Sequence, residues 1–229
     1  MKTLFFVLLC IFSNLFEVSA QTKISVLGDS YSTFKGYINP DTNKSWYGIE
    51  RGEKLVNDVT KVEETWWMLL ADKMNATLER NNSYSGSTIC HTGYSKKDFS
   101  DRSFISRIHN LGNPDIILIL GGTNDAWAGV PVGECQYENW TRKDLFQFRP
   151  AFCYLLHQLK ELYPEARICN ISNCNLNKTV TQSMEDICQH YGVLNVQLQN
   201  IDKQSSHPSV KGMQMICDQV YKALKQSVE

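Results

Sequence analysis

An α/β fold with a parallel sheet between two layers of helices is predicted by three features of the 229-residue sequence. Short apolar runs, continuous rather than alternating, recur along the chain, and DIILIL at residues 115–120 is the clearest. Longer segments with apolar residues at helical spacing separate these runs. Continuous apolar strands are buried on both faces, as in a parallel sheet covered by helices. The sequence therefore predicts a three-layer α/β/α sandwich with a flavodoxin-like parallel sheet.

The first half of the chain supplies three strands and one helix. Residues 23–27 (KISVL) form a short apolar run that ends before a glycine, which predicts a buried strand. Residues 63–74 carry two tryptophans and two leucines at helical spacing. A weaker strand is expected at residues 76–79. The strongest strand, residues 115–120, is apolar at every position after Asp115 and is stopped by two glycines.

The second half continues the alternation of helices and strands. Residues 145–162 have five apolar side chains at helical spacing and predict a long helix. A strand at 167–171, a helix at 180–191 and a strand at 193–198 follow. A final helix is expected over 208–226, because it would begin with a proline, which is well placed in the first turn of a helix.

The first twenty residues have the features of a secretory signal peptide. Lys2 precedes an apolar run, and residues 18–20 (VSA) form a small-x-small cleavage pattern before Gln21. A membrane anchor is the alternative, but the apolar run is short and polar residues interrupt it. We therefore expect an exported protein, secreted or periplasmic, without stable membrane insertion after cleavage. Residues 21–229 are predicted to form a single domain.

Charge and cysteine content narrow the classes of function. The formal net charge of -1 argues against a nucleic-acid-binding protein, which would carry a basic excess. Seven cysteines follow the predicted signal peptide, and an odd number cannot pair fully. Cys169 and Cys174 are the nearest pair in sequence, but the spacing indicates no disulfide framework. No metal-binding spacing is present, so neither a metal nor another cofactor is expected.

Polar clusters follow four of the predicted strands. They are residues 28–32 (GDSYS), residues 82–86 (NSYSG), residues 121–125 (GGTND) and, after a short loop, His207. Ligands of open α/β sheets bind outside the carboxyl ends of the strands. We therefore expect these clusters to meet at one edge of the sheet and to form the site.

The residue types in these clusters suit nucleophilic catalysis. Ser30 lies in a tight turn after a strand, and a serine needs a base such as His207 to accept its proton. The backbone N–H groups of Ser30 and Gly86 and the side-chain amide of Asn124 could bind an oxyanion. Each residue taken alone is also typical of an ordinary turn or helix cap. Their joint occurrence at strand ends is more specific.

These clusters resemble the four signature blocks of the SGNH (GDSL-type) hydrolases. GDSYS, Gly86 within NSYSG, GGTND and His207 followed by proline carry the resemblance, which extends from residue 24 to residue 212. It implies a flavodoxin-like sandwich and metal-independent ester hydrolysis. It also implies that Ser30 is the nucleophile, that His207 is the base, and that Ser30, Gly86 and Asn124 form the oxyanion hole.

The last block departs from the family pattern. The family usually has an aspartate three residues before the histidine, but Gln204 occupies that position here, and Asp202 stands two residues earlier. We expect Asp202 to orient His207 through a slightly longer loop. In the alternative, Gln204 or a backbone carbonyl orients a Ser–His dyad, or a carboxylate comes from elsewhere in the chain.

Aromatic residues in the predicted loops suggest a carbohydrate substrate. Trp127 and Tyr84 are the candidates for substrate binding, since aromatic side chains stack on sugar rings. The other loop aromatics are Trp46, Tyr47, Tyr137 and Trp140. No apolar lid is evident, which favours a carbohydrate O-acetyl esterase, or an esterase of another acylated carbohydrate, over a lipase, lysophospholipase or thioesterase. A catalytically silent glycan-binding domain is a further hypothesis, against which the complete set of reactive residues argues.

Overall fold

Five parallel strands form the central sheet of the structure, a computed structural model that describes residues 21–50 and 56–227. The strands are β1 (Lys23–Gly28), β2 (Thr77–Ser83), β3 (Ile116–Gly121), β4 (Arg167–Ser172) and β5 (Leu194–Gln197). Their order in the sheet is β2-β1-β3-β4-β5, and every neighbouring pair is parallel. This is the order of flavodoxin-like sheets, so the predicted fold class is confirmed. The predicted signal peptide lies outside the described residues.

Helices cover both faces of the sheet. They are α1 (Trp66–Lys73), α2 (Thr123–Ala128), α3 (Phe148–Leu162), α4 (Lys178–Tyr191) and α5 (Val210–Gln226). Side chains of α1 and α5 share one hydrophobic core, and those of α3 and α4 share the other. Alternate residues of β3 enter the two cores, Leu118 and Leu120 on one side and Ile117 and Ile119 on the other. This alternation explains why the strand is apolar at every position.

Strand β2 is longer than its sequence predicts. It continues to Ser83, whereas the polar residues Asn81 and Asn82 were expected to follow the strand. Both asparagines are buried, and their amides donate to backbone carbonyls, Asn81 to Ser32 at 2.8 Å and Asn82 to Arg107 at 3.0 Å. Their hydrogen bonds satisfy the buried amides, so a polar sequence can form a buried strand end.

The predicted start of the last helix is wrong. Pro208 belongs to a small hairpin of β6 (Lys203–Gln204) and β7 (His207–Pro208) rather than to the helix. Ser209 is the N-cap of α5, and its hydroxyl accepts a hydrogen bond of 3.1 Å from the Gly212 N–H. A serine at this position satisfies a backbone donor that the helix itself leaves without a partner.

Helix α2 was not predicted, because its six residues follow two glycines and are too few to show a helical period. The predicted helices at 63–74 and 145–162 each begin with a short 3-10 turn, before α1 and α3 respectively.

All seven cysteines of the described part are free thiols, and Cys169 and Cys174 are both buried and unbonded to each other. No helix in the described part of the chain is long and apolar enough to cross a membrane.

Candidate active site

Ser30 lies at the carboxyl end of β1, in a 3-10 turn of residues 30–32. Asp29 caps this turn, because its Oδ1 accepts a hydrogen bond of 3.0 Å from the Tyr31 N–H. The chain is tightly packed just before the turn: a Cβ on Gly28 would lie 2.5 Å from the Ser32 side chain and 2.6 Å from Ser83 Oγ. A glycine is therefore required there, and the turn holds Ser30 in a fixed place at the rim of the sheet.

Ser30 and His207 are in direct contact. Ser30 Oγ lies 2.9 Å from His207 Nε2, and His207 Nδ1 lies 3.1 Å from the carbonyl oxygen of Ser205. A carbonyl oxygen only accepts hydrogen bonds, so this contact assigns the proton of the neutral imidazole to Nδ1. Nε2 is then the acceptor for the Ser30 hydroxyl proton, which is the arrangement that a general base needs.

A strained hairpin turn presents His207. Ser205 and Ser206, which join β6 to β7, have φ values of 48° and 63°, in the left-handed region that non-glycine residues seldom adopt. Neighbouring segments hold this turn: the Tyr31 hydroxyl donates to the Ser206 carbonyl at 2.7 Å, and the Ser205 hydroxyl donates to the Val56 carbonyl at 2.9 Å. Strain of this kind persists only where surrounding contacts fix it.

Three aromatic rings surround the imidazole of His207. Trp46 stacks on it with 3.6 Å between ring centroids and 10° between planes. Tyr31 and Tyr47 lie at 5.2 and 6.2 Å, and the Tyr47 hydroxyl donates to the Pro208 carbonyl at 2.8 Å. Trp46 and Tyr47 are buried. These two loop aromatics therefore pack against the histidine and its hairpin and leave little ring surface exposed.

The two residues expected to orient His207 make other contacts. A carboxylate oxygen of Asp202 accepts a hydrogen bond from the hydroxyl of Ser209, the N-cap of α5. The side-chain oxygen of Gln204 accepts from the Asp58 N–H at 2.9 Å. The structure thus places the Asp202 carboxylate at the start of a helix, where negative charge is favoured, and it brings the Ser205 carbonyl to Nδ1.

Two backbone N–H groups, those of Ser30 and Gly86, are the predicted main-chain donors of the oxyanion hole. In the described part of the chain, neither the Ser30 N–H nor the Gly86 N–H donates a hydrogen bond. Gly86 has φ of +83°, and a Cβ there would meet nothing within 4 Å. Its main chain therefore borders open space and is accessible to a substrate.

Asn124, the third predicted donor, lies in the first turn of α2 and is 4% exposed. Its Nδ2 donates to the Ser87 carbonyl at 2.9 Å and lies 3.4 Å from Asp29 Oδ2. Its Oδ1 accepts from the Tyr94 hydroxyl at 2.8 Å. The Ser87 contact lies one residue beyond Gly86, so the amide is joined directly to the loop that carries the second donor.

Two buried ionisable side chains, Asp29 and Arg107, lie beside the segments that carry Ser30 and Gly86. Arg107 donates to the Gly28 carbonyl and to Ser87 Oγ, both at 3.1 Å, and to the Asn82 carbonyl. Burial raises the pKa of Asp29 to about 7 and lowers the pKa of Arg107 to about 9. Arg107 was not predicted to be buried, although an arginine within the largely apolar run FISRI (residues 104–108) is a signal of a buried cation.

A second buried carboxylate fixes the start of the loop that leads to Tyr94. Asp125 accepts hydrogen bonds from the N–H groups of Ile89 at 2.8 Å and Cys90 at 3.2 Å, while burial raises its pKa to about 6. In the described ranges, no group of three or more His, Cys, Asp or Glu side chains is arranged to hold a metal ion.

The two predicted substrate-binding residues differ in exposure. Trp127 is 50% exposed and lies on α2, three residues after Asn124. Tyr84 is half-buried, and its ring centroid lies 5.5 Å from the guanidinium carbon of Arg102. Tyr137 stacks on His190 of α4, and Trp140 packs against α3. Trp127 therefore offers the more exposed aromatic surface of the two predicted residues.

A family model described as GDSL-like lipase/acylhydrolase matches residues 22–224 of the chain. Two solved structures are closely similar. A Bacteroides uniformis protein that is named a GDSL-like lipase is 62% identical, with a TM-score of 0.88 over 90% of this chain and 96% of that one. A Bacteroides ovatus protein of the same name is 47% identical, with a TM-score of 0.88 over 91% of this chain and 100% of that one.

More distant structures share the fold. An acetyl xylan esterase from Butyrivibrio proteoclasticus is 15% identical, with a TM-score of 0.58 over 90% of this chain and 64% of that one. No curated protein matches the chain. The family model covers most of the sequence, and the two Bacteroides structures cover it at high identity, so the chain belongs to the GDSL-like (SGNH) lipase/acylhydrolase family of hydrolases.

Proposed function

We propose that this protein is an exported serine ester hydrolase that removes acetyl groups from carbohydrates, with Ser30 as nucleophile and His207 as base. The observation that carries the proposal is the 2.9 Å contact between Ser30 Oγ and His207 Nε2, together with the Ser205 carbonyl at Nδ1. This pair of contacts leaves the base nitrogen as acceptor and directs it at the serine hydroxyl.

The reaction proceeds by two acyl transfers. Nε2 of His207 takes the hydroxyl proton as Ser30 Oγ attacks the ester carbonyl, and the carbonyl oxygen becomes an oxyanion. The N–H groups of Ser30 and Gly86 and the Asn124 amide bind that oxyanion. The imidazolium then gives its proton to the leaving alcohol, and an acyl-serine remains. Water, deprotonated by the same nitrogen, hydrolyses this intermediate and releases the acid.

The surroundings of His207 favour the charged ring that forms during each transfer. The Ser205 carbonyl accepts the Nδ1 proton in both the neutral and the charged state of the ring. The stacked Trp46 presents the negative face of its π-system to the imidazolium. A cation over a tryptophan face gains about 0.5–2 kcal/mol, depending on its exposure to water. Both contacts act on the intermediate state more strongly than on the neutral ring.

Trp127 supports a carbohydrate as the alcohol component. Its exposed ring lies on α2 close to Asn124, where it can stack on a sugar while the ester reaches Ser30. The fold also serves the acetyl xylan esterase of Butyrivibrio proteoclasticus. A lipase is the second candidate, because the two similar Bacteroides proteins carry that name.

Acetate release from acetylated polysaccharides and the hydrolysis of 4-nitrophenyl esters of increasing acyl length test the proposal. We expect acetate release from at least one polysaccharide and a preference for the acetyl ester, which Ser30→Ala lowers in kcat by about 10³-fold or more. Ser100→Ala, a substitution outside the site, should leave kcat unchanged. A preference for long acyl chains would favour the lipase, and binding of glycans without turnover would favour a silent domain.

A further inference from the structure

The side chain of Tyr94 contacts the oxyanion hole from outside the signature blocks. Its hydroxyl donates a hydrogen bond of 2.8 Å to Oδ1 of Asn124. The ring is 36% exposed, whereas Asn124 is almost fully buried. Tyr94 therefore lies between solvent and the amide that is expected to bind the developing negative charge.

The contacts of Asn124 determine the orientation of its amide. The Tyr94 hydroxyl occupies the amide oxygen, and the Ser87 carbonyl takes one of the two amide hydrogens at 2.9 Å. The second amide hydrogen donates to Asp29 Oδ2 over a long distance of 3.4 Å, so it is the more weakly held of the two and the one that an oxyanion would take from its acceptor. With the amide reversed, its oxygen would face the Ser87 carbonyl oxygen, and two acceptors would oppose each other.

The loop that carries Tyr94 is built to hold one conformation. A Cβ on Gly93 would lie 2.3 Å from the ring of Phe99, so the main chain packs directly on that ring. Ser95 and Lys96, which follow Tyr94, have φ values of 55° and 56° in the left-handed region. Two successive non-glycine residues in that region indicate a conformation that tertiary contacts maintain.

The Tyr94 hydroxyl keeps its proton under ordinary conditions. Burial, followed by the nearby carboxylates of Asp29 and Asp125, raises the pKa of Tyr94 to about 12. A protonated phenol is a donor, and a hydrogen bond donated to an amide oxygen withdraws electron density from the amide and strengthens its N–H groups as donors. The direction of this polarisation favours binding of an oxyanion.

We propose that Tyr94 is a positioning residue of the oxyanion hole, which fixes and polarises the Asn124 amide so that its more weakly bonded N–H meets the negative charge of the transition state. This inference rests on the proposed esterase function. The Tyr94 hydroxyl acts through Asn124 alone. Its removal should therefore lower kcat in the wild-type background and should have no effect when the Asn124 amide is absent.

A double-mutant cycle of Tyr94→Phe and Asn124→Ala tests the inference with 4-nitrophenyl acetate. Tyr94→Phe should lower kcat by about 2- to 13-fold with little change in KM, the effect of one neutral hydrogen bond. Asn124→Ala should lower kcat by about 10²- to 10³-fold. The double variant should match Asn124→Ala. Tyr163→Phe is the matched control, because that hydroxyl also donates to a carbonyl at 2.8 Å, that of Ile108, outside the site.

The outcomes separate this inference from the proposed function. Losses that multiply in the double variant, or a change in KM alone, would overturn the role of Tyr94 while leaving the esterase in place. A folded wild-type protein without turnover would overturn the proposed function and the inference with it. Thermal unfolding and near-ultraviolet circular dichroism of each variant show whether a loss of kcat reflects misfolding.

Discussion

Asp202→Asn is expected to leave catalysis nearly intact, in contrast to the expectation from the sequence. The substitution removes the charge of a side chain that accepts a hydrogen bond from Ser209. Since the imidazole Nδ1 contacts the Ser205 carbonyl, we expect kcat/KM at neutral pH to change by no more than about threefold. The same variant would lose about 10⁴-fold if the carboxylate stabilised the imidazolium of His207.

The cost of removing Asp202 should appear in stability. Ser209 is 1% exposed, and its hydroxyl donates to Asp202 while accepting from the Gly212 N–H. Asp202→Ala leaves that buried hydroxyl without its acceptor, which costs about 2 kcal/mol. For a domain of this size, 1 kcal/mol changes Tm by roughly 2–4 °C, so a fall of about 4–8 °C is expected. Asp202→Asn, which retains an amide oxygen, should lower Tm by less.

Steady-state kinetics on 4-nitrophenyl acetate across pH and thermal unfolding by circular dichroism provide the two readouts. Asp186→Asn is the matched control, because Asp186 is an exposed carboxylate of α4 that accepts a hydrogen bond from Gln182. A loss of 10³-fold or more in kcat/KM for a folded Asp202→Asn variant would refute the structural reasoning. It would show that this carboxylate acts on His207 during the reaction.

Two further substitutions address the histidine and the oxyanion hole. Trp46→Leu should lower kcat/KM by about 2- to 30-fold, the equivalent of one cation–π contact, and Trp46→Phe should lose less; equal losses in the two variants would show that the aromatic face is not what matters. Gly86→Ala places a side chain where φ is +83°, and we expect it to lower kcat for acetyl esters in a variant that remains folded at the assay temperature; a lower Tm with unchanged kcat would make this glycine structural.

The sheet was the most predictable part of the molecule. The parallel sheet and its helical layers were predicted from the continuous apolar run of β3 and the shorter runs around it. A strand that is buried on both faces is apolar at consecutive positions, and this pattern is visible in the sequence. The polar end of β2 was missed. Its asparagines are buried through hydrogen bonds to Ser32 and Arg107, which are distant in sequence and therefore invisible to a local pattern.

The candidate site was predicted in part. Ser30, Gly86, Asn124 and His207 could be proposed from the sequence because each follows a strand of one parallel sheet. The contact between His207 and the Ser205 carbonyl could not be predicted. It depends on a hairpin turn whose residues have positive φ values, and no residue type in the sequence marks which backbone carbonyl such a turn presents.

The aromatic side chains that contact His207 and Asn124 could not be predicted from the sequence pattern either. Trp46 was interpreted as a loop residue at the rim, and Tyr94 was not singled out, since neither lies in a regular helix or strand. Each makes a contact with a distant segment, a ring stacked on His207 and a hydroxyl bonded to Asn124.

The most direct test of the central claim is the mass of the peptide that contains Ser30 after reaction with an organophosphorus probe for activated serines. The 2.9 Å contact with His207 predicts one adduct per chain, on Ser30, formed in parallel with the loss of esterase activity. His207→Ala should slow its formation, and Ser30→Ala should abolish it. An adduct on another residue, or full inhibition without modification of Ser30, would contradict the assignment of the nucleophile.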